Sequence, residues 1–505
     1  MMKRRLKQAL SCLLLCTLLS SVMALPASAV AFSDVPQTHW AAESIRRSAE
    51  LGFLRGETPT RFGLGHRMTR AAFAVALCRF FGWEAEETGE SVYDDVPANA
   101  WYTDAVESAY AHGALTLQSS AFRPADPITR EEVAVMLIRA LGYGNLAGLV
   151  QDLPMPFRDV TSNSGYIAMA YELGLVSGTS ATAFTPAGTA TREQAAVMLV
   201  RLYDKLHSPA PGYVGIAASA AELPTLDGFA AVAVAAGRLI YQGRAQLSWT
   251  APAEETAAVR AAAKSGGAKQ LLYVGGTESP LRCDSAETAK MLSETVRGQG
   301  YDGLFLDLEQ VTYAHREDLT ALVSALRTEL GDGLLYVAAE APVWRGKSEE
   351  GYDYAALAAS ADRLVLRAAC YVEKTESGFP AAPMEPLEEV YFALGELRDE
   401  VEPEKLSLLL TTTASVWTGG KNTATLSGAA AQSLAAEKGL EDYYSSRYAC
   451  AYSAGTAEGK NTVIWYMNGE AAAQRTRLAA FFGVDQVCFS QLEGLRPALA
   501  PAALK

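Results

Sequence analysis

The residues best suited to chemistry are two acids that stand two positions apart, Asp307 and Glu309. They end the segment 303–309, GLFLDLE, whose apolar run predicts a buried β-strand. Side chains alternate along a strand, so both carboxylates share a face with Phe305 and lie about 7 Å apart at the backbone. An acid beside a second carboxylate holds its proton more tightly, which suits general acid catalysis. The alternative interpretation is a buried acid that holds a loop.

The elements around this strand predict a barrel. Apolar strand-like runs alternate with helical stretches over about 290 residues after position 212, as in KQLLYVGG (269–276) and LLYVAAEAP (334–342). Such alternation predicts an α/β fold of the (β/α)8 TIM-barrel type, whose active sites lie at the carboxyl ends of the strands. A doubly wound open sheet is the alternative, but no G-x-G-x-x-G follows the first strand.

One sequence unit occurs three times before the barrel region. Each copy opens with an aspartate followed by valine, at Asp34, Asp95 and Asp159. Each closes on a threonine followed by an arginine, at Arg70, Arg130 and Arg192. The pattern predicts a first helix that stops at a glycine (52, 113 or 174) and a second helix capped by the threonine. A two-helix unit cannot cover its own apolar face, so the copies must pack on one another.

These repeats resemble S-layer homology (SLH) domains, whose pattern is F-x-D-V, a tryptophan five residues later, a G-x-x-x-G turn and a closing T-R. The resemblance implies an all-α bundle of three repeats that binds a secondary wall polysaccharide, typically pyruvylated. It implies as binding residues the three arginines and three aspartates above together with Trp40 and Trp101. Gly165 replaces the third tryptophan and Leu117 the second turn glycine of copy two, so one or two of the grooves are predicted to be silent.

The bases of this region support an anion ligand independently of the resemblance. Residues 30–206 contain 13 arginines and one lysine against 20 acids. A guanidinium presents a planar fork that matches a carboxylate, which an ammonium does not. The alternative for each arginine is a salt bridge at a helix end.

The barrel segment resembles family-18 glycoside hydrolases, closest to spore-germination peptidoglycan hydrolases. The signature D-G-x-D-x-D-x-E is matched by Asp302, Gly303, Asp307 and Glu309. The resemblance implies that Glu309 is the general acid and that Asp307 orients the substrate's 2-acetamido group, whose oxygen acts as nucleophile. It further implies substrate contacts by Asp302, Tyr371, Trp417 and Trp465.

Departures from that family leave two hypotheses open. Phe305 occupies an acidic position of the signature, Arg367 and Ala369 fall where an M-x-Y motif belongs, and Ser490 replaces a tryptophan at the floor of the sugar subsite. The first hypothesis is a retaining, substrate-assisted glycosidase acting on N-acetylated glycan such as peptidoglycan or chitin oligomers. The second is a non-catalytic barrel that binds glycan or serves as a structural part of a surface layer.

The amino terminus and the composition suggest where such a protein acts. Four basic residues, an apolar run and A-S-A at 27–29 predict a secretory signal peptide, and its removal would change the net charge from −14 to about −18. That charge provides no attraction for nucleic acid. We expect no membrane span after processing, no cofactor and no metal site, since cysteines and histidines are scattered. The predicted location is the wall or S-layer of a Gram-positive-type bacterium.

The predicted domain order follows from these features. Residues 1–29 form the signal peptide, 30–90, 91–152 and 153–206 the three repeats, 207–212 a linker, and 213–498 the barrel.

Overall fold

The computed structural model describes residues 32–84, 91–207, 212–221, 223–343, 351–368, 383 and 385–493. The predicted signal peptide, Tyr371 and Ala369 lie outside these ranges. The described residues divide into two compact units. The first unit contains the described residues up to Ala140, together with Pro156–Val160 and Leu175–Leu202. The second unit contains Leu141–Met155, Thr161–Gly174 and the described residues from Tyr203 onward.

The repeats are helical, as their apolar spacing predicts. Their helices are α1 (Ala42–Glu50), α2 (Arg70–Phe81), α3 (Thr103–Ala111), α4 (Arg130–Ala140), α5 (Gly144–Leu149), α6 (Ser164–Glu172) and α7 (Arg192–Leu206). The predicted capping is confirmed at α4, where the Thr129 hydroxyl accepts from the Glu132 amide at 3.1 Å and the Glu132 carboxylate accepts from the Thr129 amide at 2.8 Å. Glycines 52, 113 and 174 have φ between 71° and 83°, the left-handed conformation expected after a helix end.

Backbone hydrogen bonds join the three repeats in a closed ring. The amide of Met68 donates to Ala190, that of Ile128 donates to Met68, and that of Ala190 donates to Ile128, at 2.8–2.9 Å. All three residues are at most 1% exposed. Each repeat therefore donates to one neighbour and accepts from the other, which is how the copies satisfy buried backbone groups that a single copy would leave unpaired.

The aspartate at the opening of each repeat accepts hydrogen bonds from backbone amides in a loop of the same repeat. The Asp34 carboxylate accepts from the amides of Phe62, Gly63 and Leu64 at 2.8–3.1 Å. In the other two copies, Asp95 accepts from the amides of residues 122 and 123, and Asp159 from those of residues 184 and 185. These bonds fix the loop that precedes the second helix.

We expect Asp34→Ala to loosen this loop in a pH-dependent way. Burial raises the pKa of Asp34, but the three backbone amides outweigh it and lower the pKa to about 2 from an ordinary 3.8. The carboxylate therefore stabilises the fold fully above its ordinary pKa, and this contribution is lost as the pH falls through about 2. At pH 7, hydrogen exchange at residues 62–64 should be faster in the variant than in the wild type. The two proteins should become alike as the pH falls to the lowered pKa of Asp34, about 2. Equal protection at pH 7 would contradict the prediction.

Within the described residues the barrel has eight parallel strands. They are β1 (Gly212–Ala217), β2 (Phe229–Tyr241), β4 (Lys269–Thr277), β5 (Gly303–Glu309), β6 (Leu334–Glu340), β7 (Arg363–Arg367), β8 (Leu406–Leu410) and β14 (Gln486–Phe489). The sheet closes because β1 pairs with both β2 and β14. The strand β3 (Ala245–Trp249) extends β2 as an antiparallel hairpin. The predicted barrel is thus confirmed.

Helices cover the barrel strands on the outside. They are α8 (Ala253–Ser265), α9 (Ser285–Gln299), α10 (Arg316–Leu330), α11 (Tyr354–Ser360), α12 (Leu387–Leu397) and α14 (Gly469–Phe481), whereas α13 (Gly428–Glu437) packs on a separate sheet. The barrel interior is filled by side chains from alternate positions of the strands, among them Ala233, Leu271, Phe305, Tyr336 and Val365. These positions fix which face of each strand points inward.

A second sheet is inserted between the last two barrel strands. Its antiparallel strands, in spatial order, are β10 (Lys421–Leu426), β9 (Ala414–Thr418), β13 (Lys460–Tyr466), β12 (Cys450–Ala457) and β11 (Glu441–Ser445). The helix α13 packs on β9, β10 and β13. Trp417 and Trp465, for which substrate contacts are predicted, lie on this inserted sheet and outside the barrel.

Helices α5 and α6 belong to the same compact unit as the barrel. Glu172, the last residue of α6, accepts from the Tyr391 hydroxyl of α12 and forms an ion pair with Arg398 at 2.9 Å. The Tyr143 hydroxyl donates to the Gln474 carbonyl of α14 at 3.2 Å. Tyr143 is fully buried, so these contacts are part of a packed interior.

Candidate active site

Asp307 and Glu309 line a cleft at the carboxyl ends of β2, β4 and β5. The cleft has a volume of about 210 Å³. Its lining consists of Ala235, Gly237, Arg238, Thr250, Tyr273, Gly275, Gly276, Asp307 and Glu309. The strand register explains the grouping, because Gly275 of β4 pairs with Asp307, and Thr277 pairs with Glu309. The structure therefore brings the two predicted acids to the same opening, at the barrel end where active sites lie.

Asp307 is buried and held on both carboxylate oxygens. Asp307 is only 5% exposed. The Tyr273 hydroxyl donates to Oδ2 at 2.8 Å, and the Arg367 guanidinium donates to Oδ1. Each oxygen has a second lone pair, so Asp307 retains acceptor sites for a substrate amide. The carboxylate is thus fixed in orientation before any ligand arrives.

Arg367 bridges two acids at the top of the barrel. Besides Asp307 it forms an ion pair with Glu340, the last residue of β6. Its side chain is 17% exposed. Burial lowers the pKa of Arg367, but the carboxylates of Asp307 and Glu340 raise it more, so the pKa lies above its ordinary value. Arg367 is therefore a permanent positive charge between two negative ones.

Tyr273 acts as a donor to the same carboxylate. Burial raises the pKa of Tyr273 far above its ordinary value, and the neighbouring Asp307 charge raises it further. The phenol stays protonated at neutral pH, so it can donate to Asp307 but cannot accept a proton from a substrate.

Glu309 differs from Asp307 in being exposed. It is the last residue of β5, and its side chain lies at the mouth of the cleft. Among the described residues, its carboxyl group has neither a hydrogen-bond nor an ion-pair partner. A carboxyl group that faces the opening without a fixed partner is free to approach a ligand oxygen, as general acid catalysis requires.

The structure separates Asp302 from these acids. Asp302 precedes β5 at its amino end, where its carboxylate accepts from the Gln270 amide at 2.8 Å and contacts Lys269 at 3.3 Å. Four strand residues lie between Asp302 and Asp307, the nearest cleft residue of this strand, which separates their backbones by about 16 Å. This placement argues against a direct substrate contact by Asp302 and gives it a structural role.

The two predicted aromatic substrate contacts that the structure describes, Trp417 and Trp465, are buried. Trp417 is 3% exposed and Trp465 6%, and they pack with Cys450 in the inserted sheet. Little ring surface is left on either for stacking against a sugar. Their predicted role as substrate contacts depends on a rearrangement of this sheet.

Two residues that depart from the family pattern, Phe305 and Ser490, have defined contacts in the structure. Phe305 is fully buried and packs against Tyr273 and Tyr336 in the barrel interior. Ser490 directly follows β14, and its hydroxyl accepts from the Thr412 amide at 3.1 Å. A buried ring therefore stands where the family pattern has an acid, and a hydrogen-bonded hydroxyl stands where it has an aromatic floor.

Arg238 is a cleft residue that the sequence analysis missed. The register between β2 and β4 shifts between Ala235 and Gly237, so Ala236 is a bulge. The bulge moves Arg238 onto the row of Gly275 and Asp307, which faces the barrel interior. Without it, the alternation that puts Ala233 inside would point Arg238 outward. Nothing in the sequence signals such a bulge.

The three repeat arginines lie between neighbouring repeats. Their guanidinium groups stack on phenylalanine rings 4.7–5.0 Å away and donate to carbonyls of the same residues, Arg70 with Phe122, Arg130 with Phe184 and Arg192 with Phe62. Burial lowers the pKa of all three. Arg70 also forms an ion pair with Glu132. These contacts hold the ring of repeats together, and their role in binding polysaccharide stays a prediction.

The tryptophans of the first two repeats are strongly exposed. Trp40 is 64% and Trp101 69% exposed, unusual values for this residue type. In the third repeat, a Cβ at Gly165 would lie 2.0 Å from the Ala147 carbonyl oxygen, so no larger residue fits. The two rings offer flat apolar surfaces that a sugar could cover.

In the part of the chain that the structure describes, no helix has the length and apolar character needed to cross a membrane. The same residues contain no group of three or more histidines, cysteines and acids that could hold a metal ion.

Comparisons with known proteins identify the repeats. The family model of the S-layer homology domain matches residues 31–74, 92–134 and 156–196. Among curated relatives, an amylopullulanase of Thermoanaerobacterium thermosulfurigenes is 32% identical over 180 residues, which are 34% of this chain and 10% of that protein. An S-layer protein of Bacillus thuringiensis subsp. finitimus is 27% identical over 179 residues, 35% of this chain and 21% of that protein. The chain thus spans a small part of the curated relatives it matches.

Solved structures resemble the barrel. A chitinase from Chromobacterium violaceum superposes with a TM-score of 0.50 at 17% identity, over 58% of this chain and 98% of that one. The spore cortex-lytic enzyme SleL of Bacillus megaterium gives 0.50 at 16% identity, over 67% and 80%. Identities this low establish the fold alone. The chain therefore contains three S-layer homology domains, and these are followed by a closed parallel barrel with the fold of this chitinase and this cortex-lytic enzyme.

Proposed function

We propose that this protein is a secreted, wall-anchored glycosidase of the bacterial surface. In this proposal the repeats bind a secondary wall polysaccharide, of the pyruvylated type, and the barrel cleaves glycan that contains N-acetylglucosamine. The observation that carries the second part is the cleft that a fixed Asp307 shares with an exposed Glu309. The anchoring part is supported by the three S-layer homology domains and by a matching S-layer protein.

The proposed mechanism uses one enzymic acid and one positioning carboxylate. Glu309 protonates the glycosidic oxygen while the carbonyl oxygen of the substrate's own acetamido group attacks the anomeric carbon. Asp307 accepts a hydrogen bond from the acetamido N–H and stabilises the positive charge that develops on that group. Water then attacks the same carbon from the face that the leaving group occupied, with Glu309 as base, so the configuration is retained. No second enzymic nucleophile is required.

A second candidate function is glycan binding without hydrolysis, or a structural role in the surface layer. It is favoured by the ion pair between Asp307 and Arg367 and by the buried Phe305 in place of an acid. The ion pair holds the Asp307 carboxylate in one orientation, and the phenylalanine leaves this strand face without a third acid below Asp307.

Hydrolysis of matched glycans distinguishes the two functions. We expect the full chain to release reducing ends from an N-acetylglucosamine-containing glycan, with retained configuration of the product. The same glycan after chemical de-N-acetylation should not be cleaved, because the internal nucleophile is then absent. Failure to release reducing ends from wall glycan and from chitin oligomers would exclude the glycosidase and leave the binding function.

Anchoring is tested best through the exposed tryptophans. The full chain should sediment with walls that carry the secondary polysaccharide and stay in solution with walls from which it has been extracted. The double variant Trp40→Ala and Trp101→Ala should bind these walls more weakly, since both rings are exposed and removing them costs little packing. Substituting the repeat arginines would confound binding with folding, because they also join the repeats. Undiminished sedimentation of the tryptophan variant would remove those two residues from the binding surface.

A further inference from the structure

We infer that Arg238 recognises a carboxylate on the glycan, so that the cleft selects an acidic N-acetylated sugar over a neutral one. This inference rests on the proposed function and extends it to the class of substrate. It begins with the placement of Arg238, which the bulge at Ala236 turns into the cleft.

The geometry leaves room for a ligand group between Arg238 and the acids. Arg238, Gly275 and Asp307 occupy one row on three adjacent strands. Two strand spacings separate the backbones of Arg238 and Asp307 by about 10 Å. Gly275, the middle member, contributes no side chain, and the ring of Tyr273 lies 3.1 Å from the position that its Cβ would take. All three residues of the row line the same cleft, so a ligand group in the cleft can lie between Arg238 and Asp307.

The charges of the cleft leave Arg238 without a partner. Asp307 is already paired with Arg367, which also holds Glu340. Arg238 is exposed and, among the described residues, has no hydrogen-bond or ion-pair partner. Glu309, the other acid of the cleft, is exposed and forms no ion pair with Arg238, so the Arg238 guanidinium has no fixed counter-charge among the described residues.

A glycan that fills the cleft must displace water from that guanidinium. With a neutral sugar, the charge would lose solvation and gain only hydroxyl groups in return. A carboxylate restores the interaction, since the planar guanidinium fork can donate two parallel hydrogen bonds to it. A sugar that carries both an acetamido group and a carboxylate, such as the lactyl ether of a muramic acid residue, fits the acetamido site at Asp307 and the anion site at Arg238.

The test measures binding without turnover, in the full chain carrying Glu309→Gln. The probes are soluble peptide-free glycan strands of alternating N-acetylglucosamine and N-acetylmuramic acid, and the same strands with their carboxylates chemically reduced to alcohols. We expect the acidic strands to bind about tenfold more tightly, the effect of one charge-assisted contact in a partly open site. Adding Arg238→Gln should abolish this preference. Arg244→Gln, at another exposed arginine of the same hairpin but outside the cleft, should retain it.

The possible results separate the role of Arg238 from the proposed glycosidase function. A preference that is lost with Arg238→Gln and kept with Arg244→Gln supports the inference. Equal binding of the two probes, or a preference that survives Arg238→Gln, overturns it while leaving the proposed glycosidase intact. Failure of both probes to bind, together with an absence of reducing-end release by the wild type, overturns the proposed function as well.

Discussion

The substitution Glu309→Gln is expected to reduce glycan hydrolysis by about 1,000-fold, within the range measured for loss of a general acid. An amide of the same shape cannot deliver a proton to the glycosidic oxygen, so the leaving sugar would depart as an unstabilised alkoxide. Because the Glu309 side chain is exposed and has no described partner, its replacement should cost almost no folding energy. The measurement is the initial rate of reducing-end release under saturating glycan.

A neighbouring acid supplies the control for this prediction. Glu278 follows β4 at the same end of the barrel, and its carboxylate accepts from the Thr312 amide and hydroxyl at 3.0 and 2.8 Å. It does not line the cleft. Glu278→Gln should therefore leave the rate within a factor of about two, while Glu309→Gln should still bind glycan. Equal rates for the wild type and Glu309→Gln would show that another group donates the proton.

The sequence predicts the architecture well because it depends on local and repetitive signals. The three copies are visible from the spacing of their aspartates and arginines, and the left-handed glycines fall where a helix must stop. The strand 303–309 is recognisable from its apolar run, and its alternation correctly brings Asp307 and Glu309 to one cleft. The inserted antiparallel sheet between β8 and β14 was not anticipated, because a meander of short strands carries only a weak periodic signal.

The chemistry around those acids depends on contacts between residues far apart in the chain. The ion pair of Arg367 with Asp307 joins residues 60 positions apart, and no local pattern encodes it. The direction of Arg238 depends on a single extra residue in β2. The repeat arginines were predicted as ligands from their chemistry, yet each is also matched to a carbonyl of the next repeat, which only the closed ring brings near.

The buried bridge of Arg367 leads to the second large expected effect. Arg367→Leu should lower the free energy of unfolding of the barrel by about 3 kcal/mol, because it removes the counter-charge of the buried Asp307 carboxylate and one counter-charge of the partly exposed Glu340. The leucine keeps much of the apolar volume of the side chain, so the loss reports the charge and not a cavity. Hydrogen exchange of β5 and β7 in the full chain measures the effect without requiring the whole protein to unfold in one step.

The matched control is Arg363→Leu, on the same strand and the same inward face. Arg363 forms an ion pair with Asp485 at 2.6 Å, but the Asp485 side chain is 55% exposed and can be solvated by water. Its loss should therefore cost at most about 1 kcal/mol. Adding Asp307→Asn and Glu340→Gln to Arg367→Leu should recover part of the larger loss, because the neutral amides remove the two negative charges that Arg367 compensated. If Arg367→Leu cost no more than Arg363→Leu, the ion pairs of Arg367 with Asp307 and Glu340 would be solvated contacts that contribute little to stability.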